Sequence, residues 1–268
     1  MIGQDRLKKQ VDQWVCEHNL PKFLILMGEK GCGKKTLVSY IKQKLNCEAL
    51  YFNNKTEDIR TLIEVCTQRS SDLIYVIEDG QDMSSQAANA LLKVAEEPPT
   101  GAYIILLTTT DNLLATIKSR GQIVLFDPYN DTEKLQFAKQ NNLPTVLIDY
   151  CDNLGDIVEA NEEKFEELNK FCINIVDNIK KANITSALKI TNKLKLKEDK
   201  PGYNINLFIN MLAKIYYDRC LNNIDFKINK IHYNIVLDCK KQLRGNFNKQ
   251  YILDEMLIRL WDIRYGNS

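Results

Sequence analysis

Residues 27–37 carry the chemistry that the sequence encodes most clearly. They read MGEKGCGKKTL and match the phosphate-binding pattern GxxxxGK[ST] at every position except the last. In such a loop, glycines let backbone N–H groups close around phosphates, and the lysine reaches the β- and γ-phosphates. The residues that fit these roles are Gly28, Gly31, Gly33 and Lys34. The segment therefore predicts a phosphate-binding loop.

The last position of the pattern departs from what Mg²⁺ binding requires. A Ser or Thr hydroxyl should follow Lys34, but Lys35 stands there, and the nearby hydroxyl of Thr36 comes one residue late. An ammonium group donates hydrogen bonds and cannot ligate a cation. The sequence leaves open whether the protein is a working nucleotide triphosphatase or a fold of this type kept for another purpose.

A second candidate site is the acidic pair Glu78 and Asp79, which follows the apolar run Leu73–Ile77. In ATPases with a phosphate-binding loop, a second buried strand ends in carboxylates that serve the Mg²⁺ and the attacking water. The usual order is Asp then Glu, and here it is reversed. Neither carboxylate is therefore certain to reach its target, and the alternative is that both acids cap the next helix.

Apolar runs predict the strands that would position these residues. They are Phe23–Met27, Ala49–Phe52, Leu73–Ile77, Tyr103–Leu107 and Gln122–Phe126. A strand, a glycine loop and a helix in succession favour a true phosphate loop over a fortuitous glycine turn. Strands alternating with helices predict a doubly wound α/β domain whose site lies at the carboxyl ends of the strands.

From Asp131 onward the pattern becomes helical, apart from one strand-like run at Val146–Ile148. The predicted helices are Asp131–Gln140, Asn153–Ala160, Glu162–Lys180, Ile184–Leu194, Asn204–Leu221, Lys227–Leu243 and Lys249–Arg264. The fold class is therefore α/β followed by all-α.

Composition excludes several classes of protein. The 268 residues include 36 basic and 35 acidic ones, so net charge indicates no dominant nucleic-acid or membrane surface. A run of about 18 apolar residues is absent, and the polar start is unlike a signal peptide. We expect a cytoplasmic protein without a membrane partner. The eight cysteines are scattered with no CxxC pair, which predicts no zinc site.

Further motifs make the chain resemble a known family. They are IGQ at Ile2–Gln4, DIR at Asp58–Arg60, ANALLKVAEEPP at Ala88–Pro99 and SR at Ser119–Arg120. With the phosphate loop and the acidic strand end, they resemble bacterial DNA polymerase III clamp-loader subunits of the AAA+ ATPase family, above all those of the delta-prime type. The resemblance implies an AAA+ P-loop domain with a parallel sheet at 1–126, a small helical lid domain at 127–163 and a helical collar domain for oligomerisation at 164–268.

The resemblance also implies roles for single residues. Arg120 matches an arginine finger, a permanently charged fork that stabilises charge on the γ-phosphate in a neighbouring subunit. The alternative is a surface arginine after a helix. Thr109 or Thr110 falls near the residue that senses the γ-phosphate. Val158 replaces an arginine that contacts nucleotide in active members. Gly121 stands where the family has Cys, and the family's zinc module is missing.

The resemblance finally implies a function. We expect a subunit that hydrolyses little or no ATP and lends Arg120 to an adjacent ATPase, in a hetero-pentamer with gamma/tau-like and delta-like subunits. That complex would load a sliding clamp on primer-template DNA. ATP binding is possible, Mg²⁺ should bind poorly and zinc is not expected. The alternatives are an active gamma/tau-like ATPase in which Thr36 supplies the hydroxyl, and an AAA+ adaptor outside replication.

Overall fold

The computed structural model describes residues 2–68, 72–160, 162–179, 204–243 and 248–262. These residues form two compact units. The first is Met1–Phe137 with Asn153–Gly155, and the second is Ala138–Asp152 with Asp156–Ser268. The division into domains at 1–126, 127–163 and 164–268 is finer and stays a prediction. The predicted helix Ile184–Leu194 lies outside the described residues.

The first unit alternates strands and helices, as the sequence predicts. Its elements are α1 (Asp5–Cys16), β1 (Phe23–Met27), α2 (Lys34–Leu45), β2 (Glu48–Phe52), α3 (Thr56–Gln68), β3 (Leu73–Ile77), a 3-10 turn (Gly80–Asp82), α4 (Ser85–Glu96), β4 (Ala102–Thr108), α5 (Ala115–Lys118), β5 (Gln122–Leu125) and α6 (Asp131–Gln140), which continues into the second unit. The five strands form one sheet in the order β2-β3-β4-β1-β5, and every pair is parallel. The predicted α/β fold is therefore confirmed.

Helical connections join successive strands, so the strands run parallel and helices cover both faces of the sheet. Along β1, Ile25 packs with buried residues of α3 and α4, whereas Leu24 and Leu26 pack with those of α1 and α2. All five residues of β3 are buried. The two cores hold β1 and β3 rigidly, and these strands carry the glycine loop and the acidic pair at their ends.

The second unit is helical. After a 3-10 helix (Thr145–Asp149) come α7 (Leu154–Glu159, whose first two residues belong to the first unit), α8 (Glu162–Asn178), α9 (Ile205–Leu221), α10 (Phe226–Gln242) and α11 (Lys249–Asp262). Helix α9 packs against α8 and α10, and α10 packs against α11. The Asn204 side chain caps α9 by accepting from the backbone N–H groups of Asn206 and Leu207.

The strand-like run predicted at Val146–Ile148 is wrong, because this segment is part of the 3-10 helix. Its backbone groups bond locally, with Leu147 N donating to Pro144 O (3.3 Å) and Tyr150 N donating to Leu147 O (3.1 Å). Leu147 and Ile148 are both buried, which alternation along a strand would not give. A short apolar run cannot distinguish these two outcomes.

Close packing just before β5 leaves no room for a side chain at Gly121. A Cβ atom there would lie 2.6 Å from both Cγ1 and Cδ1 of Ile25. Gly121→Ala should therefore lower the free energy of unfolding by about 1–3 kcal/mol, as measured by chemical denaturation.

Two further variants sharpen this prediction. Adding Ile25→Val removes one of the two clashing atoms and should recover part of the loss. Ser119→Ala, two residues earlier on the exposed surface, is the control and should stay within about 0.5 kcal/mol of the parent. An unchanged unfolding midpoint for Gly121→Ala would contradict the packing account.

Candidate functional site

The glycine loop joins β1 to α2 and depends on backbone conformations that favour glycine. Gly31 and Gly33 have φ angles of 85° and 96°, in the left-handed region where a side chain is strained. Gly33 is the residue just before α2, so the loop ends at the N-terminus of that helix. This is the geometry of an anion cradle, since free N–H groups and the helix dipole point towards the loop.

The Lys34 side chain turns back onto the loop itself. Its Nζ donates to Gly28 O at 2.5 Å and to Glu29 O at 2.9 Å. Burial lowers the pKa of Lys34, and the nearby Cys32, Asp79 and Glu29 oppose that shift. The ammonium that would reach a phosphate is therefore occupied by the carbonyl groups of its own loop.

Tyr129 forms a hydrogen bond with the loop, a contact that the sequence did not predict. Its hydroxyl is buried and donates to Cys32 O at 2.9 Å. Burial raises the pKa of Tyr129 to about 12, so the phenol stays a donor at neutral pH. Gln4 of the IGQ motif anchors the same segment, because its side chain donates to Asp127 O (2.6 Å) and accepts from Asp127 N (3.2 Å).

A distant segment also contacts the tip of the loop. Gly155 N donates to Gly31 O at 3.2 Å, and the Asn153 side chain donates to Glu29 Oε2 at 3.2 Å. A Cβ atom on Gly155 would lie 2.5 Å from Gly31 Cα, so only glycine allows this approach. Gly155 therefore packs against the loop. Val158, three residues further along the chain, is exposed.

Lys35 reaches the acidic strand end. Its Nζ lies 2.6 Å from Glu78 Oε1, which joins the first turn of α2 to the residue after β3. The two positions that would hold Mg²⁺ between them are thus paired with each other. Thr36 is exposed, and successive helical residues point about 100° apart, so its hydroxyl does not take the place of the side chain at position 35.

Asp79, the second acid, occupies a left-handed backbone conformation with φ 50°. The Asn54 side chain donates to Asp79 O at 2.9 Å, which fixes the turn from β3 into the 3-10 segment. The Asp79 side chain is exposed. The reversed order of the pair therefore places the longer arm, Glu78, against Lys35 and the shorter one in solvent.

The threonines after β4 lie at the same edge of the sheet as the loop. Gly28 N donates to Thr108 O at 3.1 Å, since Met27 and Thr108 are partners in the sheet. Thr109 N donates to the Gln81 side chain (3.0 Å), while the Thr110 hydroxyl accepts from Asn112 N (3.3 Å). Both sensor-like residues are therefore near the loop. Thr109 is bonded to the 3-10 turn after β3, and Thr110 is bonded within its own turn.

Apart from Val158, the candidates described so far lie at the carboxyl ends of β1, β3 and β4 or at the start of α2. Arg120 does not lie there, because it comes just before β5. Its Nε donates to Glu96 Oε1 at 2.6 Å, Nη2 pairs with the same oxygen, and Nη1 donates to Thr116 O at 2.8 Å. Because β5 is parallel to β1, the start of β5 is at the sheet edge opposite the loop. Glu96, at the end of α4, was not predicted as a functional residue.

The part of the chain that the structure describes holds neither a metal cluster nor a helix that could span a membrane. Within the described ranges, no three or more His, Cys, Asp and Glu side chains are grouped closely enough to hold a metal ion. Of the helices that the structure describes, none combines the length and apolarity needed to span a bilayer.

Removing the Tyr129 hydroxyl should loosen the loop. Tyr129→Phe leaves the buried Cys32 carbonyl without this donor, at a cost of about 1–3 kcal/mol in the free energy of unfolding. Hydrogen exchange at residues 28–33 should become faster. Tyr51→Phe, at an exposed position on β2, is the matched control and should change neither quantity. Identical exchange in the two variants would show that the Tyr129 hydroxyl does not hold the loop.

Known proteins similar to this chain agree with the fold. The solved structure of RuvB from Thermotoga maritima, described as a Holliday junction branch migration motor, has a TM-score of 0.51 at 16% identity and covers 82% of this chain and 76% of its own. At this identity the likeness concerns the fold alone. The likeness agrees with the predicted fold class, an α/β domain with a parallel sheet followed by helices.

Sequence comparisons point to one group of proteins. A family model described as DNA polymerase III, delta subunit, matches residues 51–130, which include Glu78, Asp79 and Arg120. The gamma/tau subunit of Mycoplasma pneumoniae is 27% identical over 156 residues, 47% of this chain. The delta' subunit of Bacillus subtilis is 23% identical over 216 residues, 70% of this chain.

The chain spans only part of these relatives, since the matches cover 23% of the Mycoplasma pneumoniae protein and 65% of the Bacillus subtilis protein. The family match excludes the glycine loop but includes the acidic pair, the helix motif and the SR motif. The predicted similarity of this chain to the DNA polymerase III clamp-loader subunits is confirmed.

Proposed function

We propose that the protein is a subunit of a DNA polymerase III clamp loader that hydrolyses little or no ATP and lends Arg120 to a neighbouring ATPase subunit. The position of Arg120 carries this proposal. It precedes β5, whereas the phosphate loop follows β1, and these parallel neighbours pair Gln122 with Leu24 and Leu125 with Met27. At a rise of about 3.3 Å per residue, Arg120 and Gly28 are separated by roughly 15–20 Å along the strand direction. Arg120 is therefore suited to act on another subunit's nucleotide.

The state of the Arg120 side chain supports this role. Its fork is held by the Glu96 carboxylate and Thr116 O, and the side chain is 30% exposed. Nε and Nη2 of Arg120 both donate to one Glu96 oxygen, and phosphate oxygens accept the same charge-assisted hydrogen bonds from a guanidinium. Glu96 therefore acts as a stand-in for the anion and keeps the fork ordered at the edge of the sheet before a phosphate takes its place.

Residues in and around the phosphate-binding loop support the proposal that this chain hydrolyses little or no ATP. Lys35 stands where a Ser or Thr hydroxyl would ligate Mg²⁺, the order of Glu78 and Asp79 is reversed, and Val158 stands where the resemblance implies an arginine. Removing one charge-stabilising group typically costs about 10²–10³ in rate. Several such losses together would make turnover negligible. ATP, if it enters the loop, would be held by the glycines and Lys34 alone.

The proposed partners follow from the resemblance. The subunit would assemble with gamma/tau-like ATPase and delta-like subunits into a hetero-pentamer. This complex would be located in the cytoplasm. Helices of the region 164–268 would form its collar contacts. The complex would act on a sliding clamp and on primer-template DNA, which this chain would reach through the assembly.

Replacing Arg120 tests the proposal. In a loader reconstituted with its ATPase subunits, Arg120→Ala should slow hydrolysis at the adjacent site by a factor of about 10³ or more and leave the subunit composition unchanged. Steady-state ATPase assays and size-exclusion chromatography measure the two effects. Arg120→Lys keeps the charge without the fork and should restore only part of the activity.

The matched control is Lys118→Ala, a change in the neighbouring short helix that removes an ion pair with Asp111. This variant should retain full turnover. Turnover by Arg120→Ala equal to that of Lys118→Ala would overturn the trans-arginine role.

Similarity to gamma/tau subunits favours one alternative, an active ATPase in which Thr36 supplies the missing hydroxyl. An ATPase assay on the isolated chain discriminates the two. We expect negligible hydrolysis that Lys34→Ala does not change further. Robust hydrolysis that Lys34→Ala abolishes would favour the active ATPase instead.

A further inference from the structure

The Lys35–Glu78 ion pair occupies the place where a P-loop protein holds its metal. In such proteins the side chain after the loop lysine and the carboxylate at the end of the second strand both serve Mg²⁺. Here the same two positions are joined directly, with 2.6 Å between Lys35 Nζ and Glu78 Oε1. An ammonium group therefore lies between the helix and the strand where the fold implies a cation.

These residues do not fit Mg²⁺. The ion requires a near-octahedral set of oxygen ligands at about 2.0–2.1 Å. Position 35 offers no lone pair, and one Glu78 oxygen already accepts from the ammonium. A divalent ion at this place would also face the repulsion of a fixed positive charge. The exposed Thr36 lies a quarter to a third of a turn away around the helix and does not restore the missing ligand.

The pair's importance is chemical rather than structural. The Lys35 side chain is 66% exposed and that of Glu78 29%, so water screens the attraction and the pair contributes little to stability. What matters is that the ammonium group is covalently part of the chain and contacts Glu78 directly. The site needs no metal to neutralise the Glu78 carboxylate.

We propose that Lys35 is the residue that excludes Mg²⁺ from this loop. Its ammonium group, paired with Glu78, takes the place of the metal. A nucleotide entering the loop then binds equally well with Mg²⁺ or with a chelator. The choice of a nucleotide as the ligand rests on the proposed function. The Lys35–Glu78 ion pair is an observation that does not depend on that function.

Titration of the full chain with a fluorescent ATP analogue, in excess Mg²⁺ and in EDTA, tests this role. The parent chain should give the same affinity in both conditions within error. Lys35→Thr restores the hydroxyl and frees Glu78, and it should bind the analogue about tenfold or more tightly with Mg²⁺ than with EDTA.

Lys42→Thr is the matched control. Lys42 lies on the same helix and forms an ion pair with Glu48 at the same 2.6 Å, away from the loop. Its variant should behave like the parent. Circular dichroism confirms folding, and Lys35→Ser serves if the Thr variant does not fold.

Two outcomes overturn the assignment. One is tighter binding by the parent chain in Mg²⁺ than in EDTA, which needs no variant to observe. The other is the absence of a Mg²⁺-dependent gain in Lys35→Thr and Lys35→Ser. Neither outcome depends on partner subunits, so a failure here is distinguishable from a failure of Arg120 in the reconstituted loader.

Discussion

All five strands of the sheet run in one direction, and this constraint decides which side chains can meet. The carboxyl ends of β1, β3 and β4 bring together the glycine loop, the pair Glu78–Asp79 and the threonines that follow Thr108. A residue that precedes a strand must lie at the opposite edge. Arg120 precedes β5, so the same fold that assembles a phosphate site also places this arginine out of its reach. This arrangement separates the candidate site residues onto two opposite edges of the sheet.

At the carboxyl edge of the sheet, polar groups of the loop form hydrogen bonds and ion pairs with other residues of the same chain. Lys34 bonds to Gly28 O and Glu29 O, and Lys35 bonds to Glu78. Tyr129 and the Gly155 backbone cover two further polar groups of the loop. The two lysines therefore have partners within the protein, and two carbonyl groups of the loop accept hydrogen bonds from Tyr129 and Gly155. In the proposed function this loop has a structural role, and the edge with Arg120 faces a neighbouring subunit.

The sequence predicts much of this architecture because its signals are local. Apolar runs such as Leu73–Ile77 identify the buried strands, and the glycine spacing identifies the loop. The roles of Tyr129, Gly155 and Glu96 depend on contacts between segments that are far apart in the chain, and no spacing rule reports them. Val146–Ile148 was predicted wrongly because a three-residue apolar run suits a 3-10 turn as well as a strand. The glycine at position 121 is explained only by its close contact with Ile25.

The central claim is that this chain contributes its arginine and not its loop to ATP hydrolysis. The most direct measurement is a cryo-EM structure of the reconstituted loader with ADP, Mg²⁺ and beryllium fluoride as a γ-phosphate analogue. The account predicts that the Arg120 guanidinium has left Glu96 and lies within about 2.7–2.9 Å of the analogue bound to the adjacent ATPase subunit. It also predicts no Mg²⁺ between Lys35 and Glu78. Density for Mg²⁺ and the analogue in this chain's own loop, with Arg120 still paired with Glu96, would contradict it.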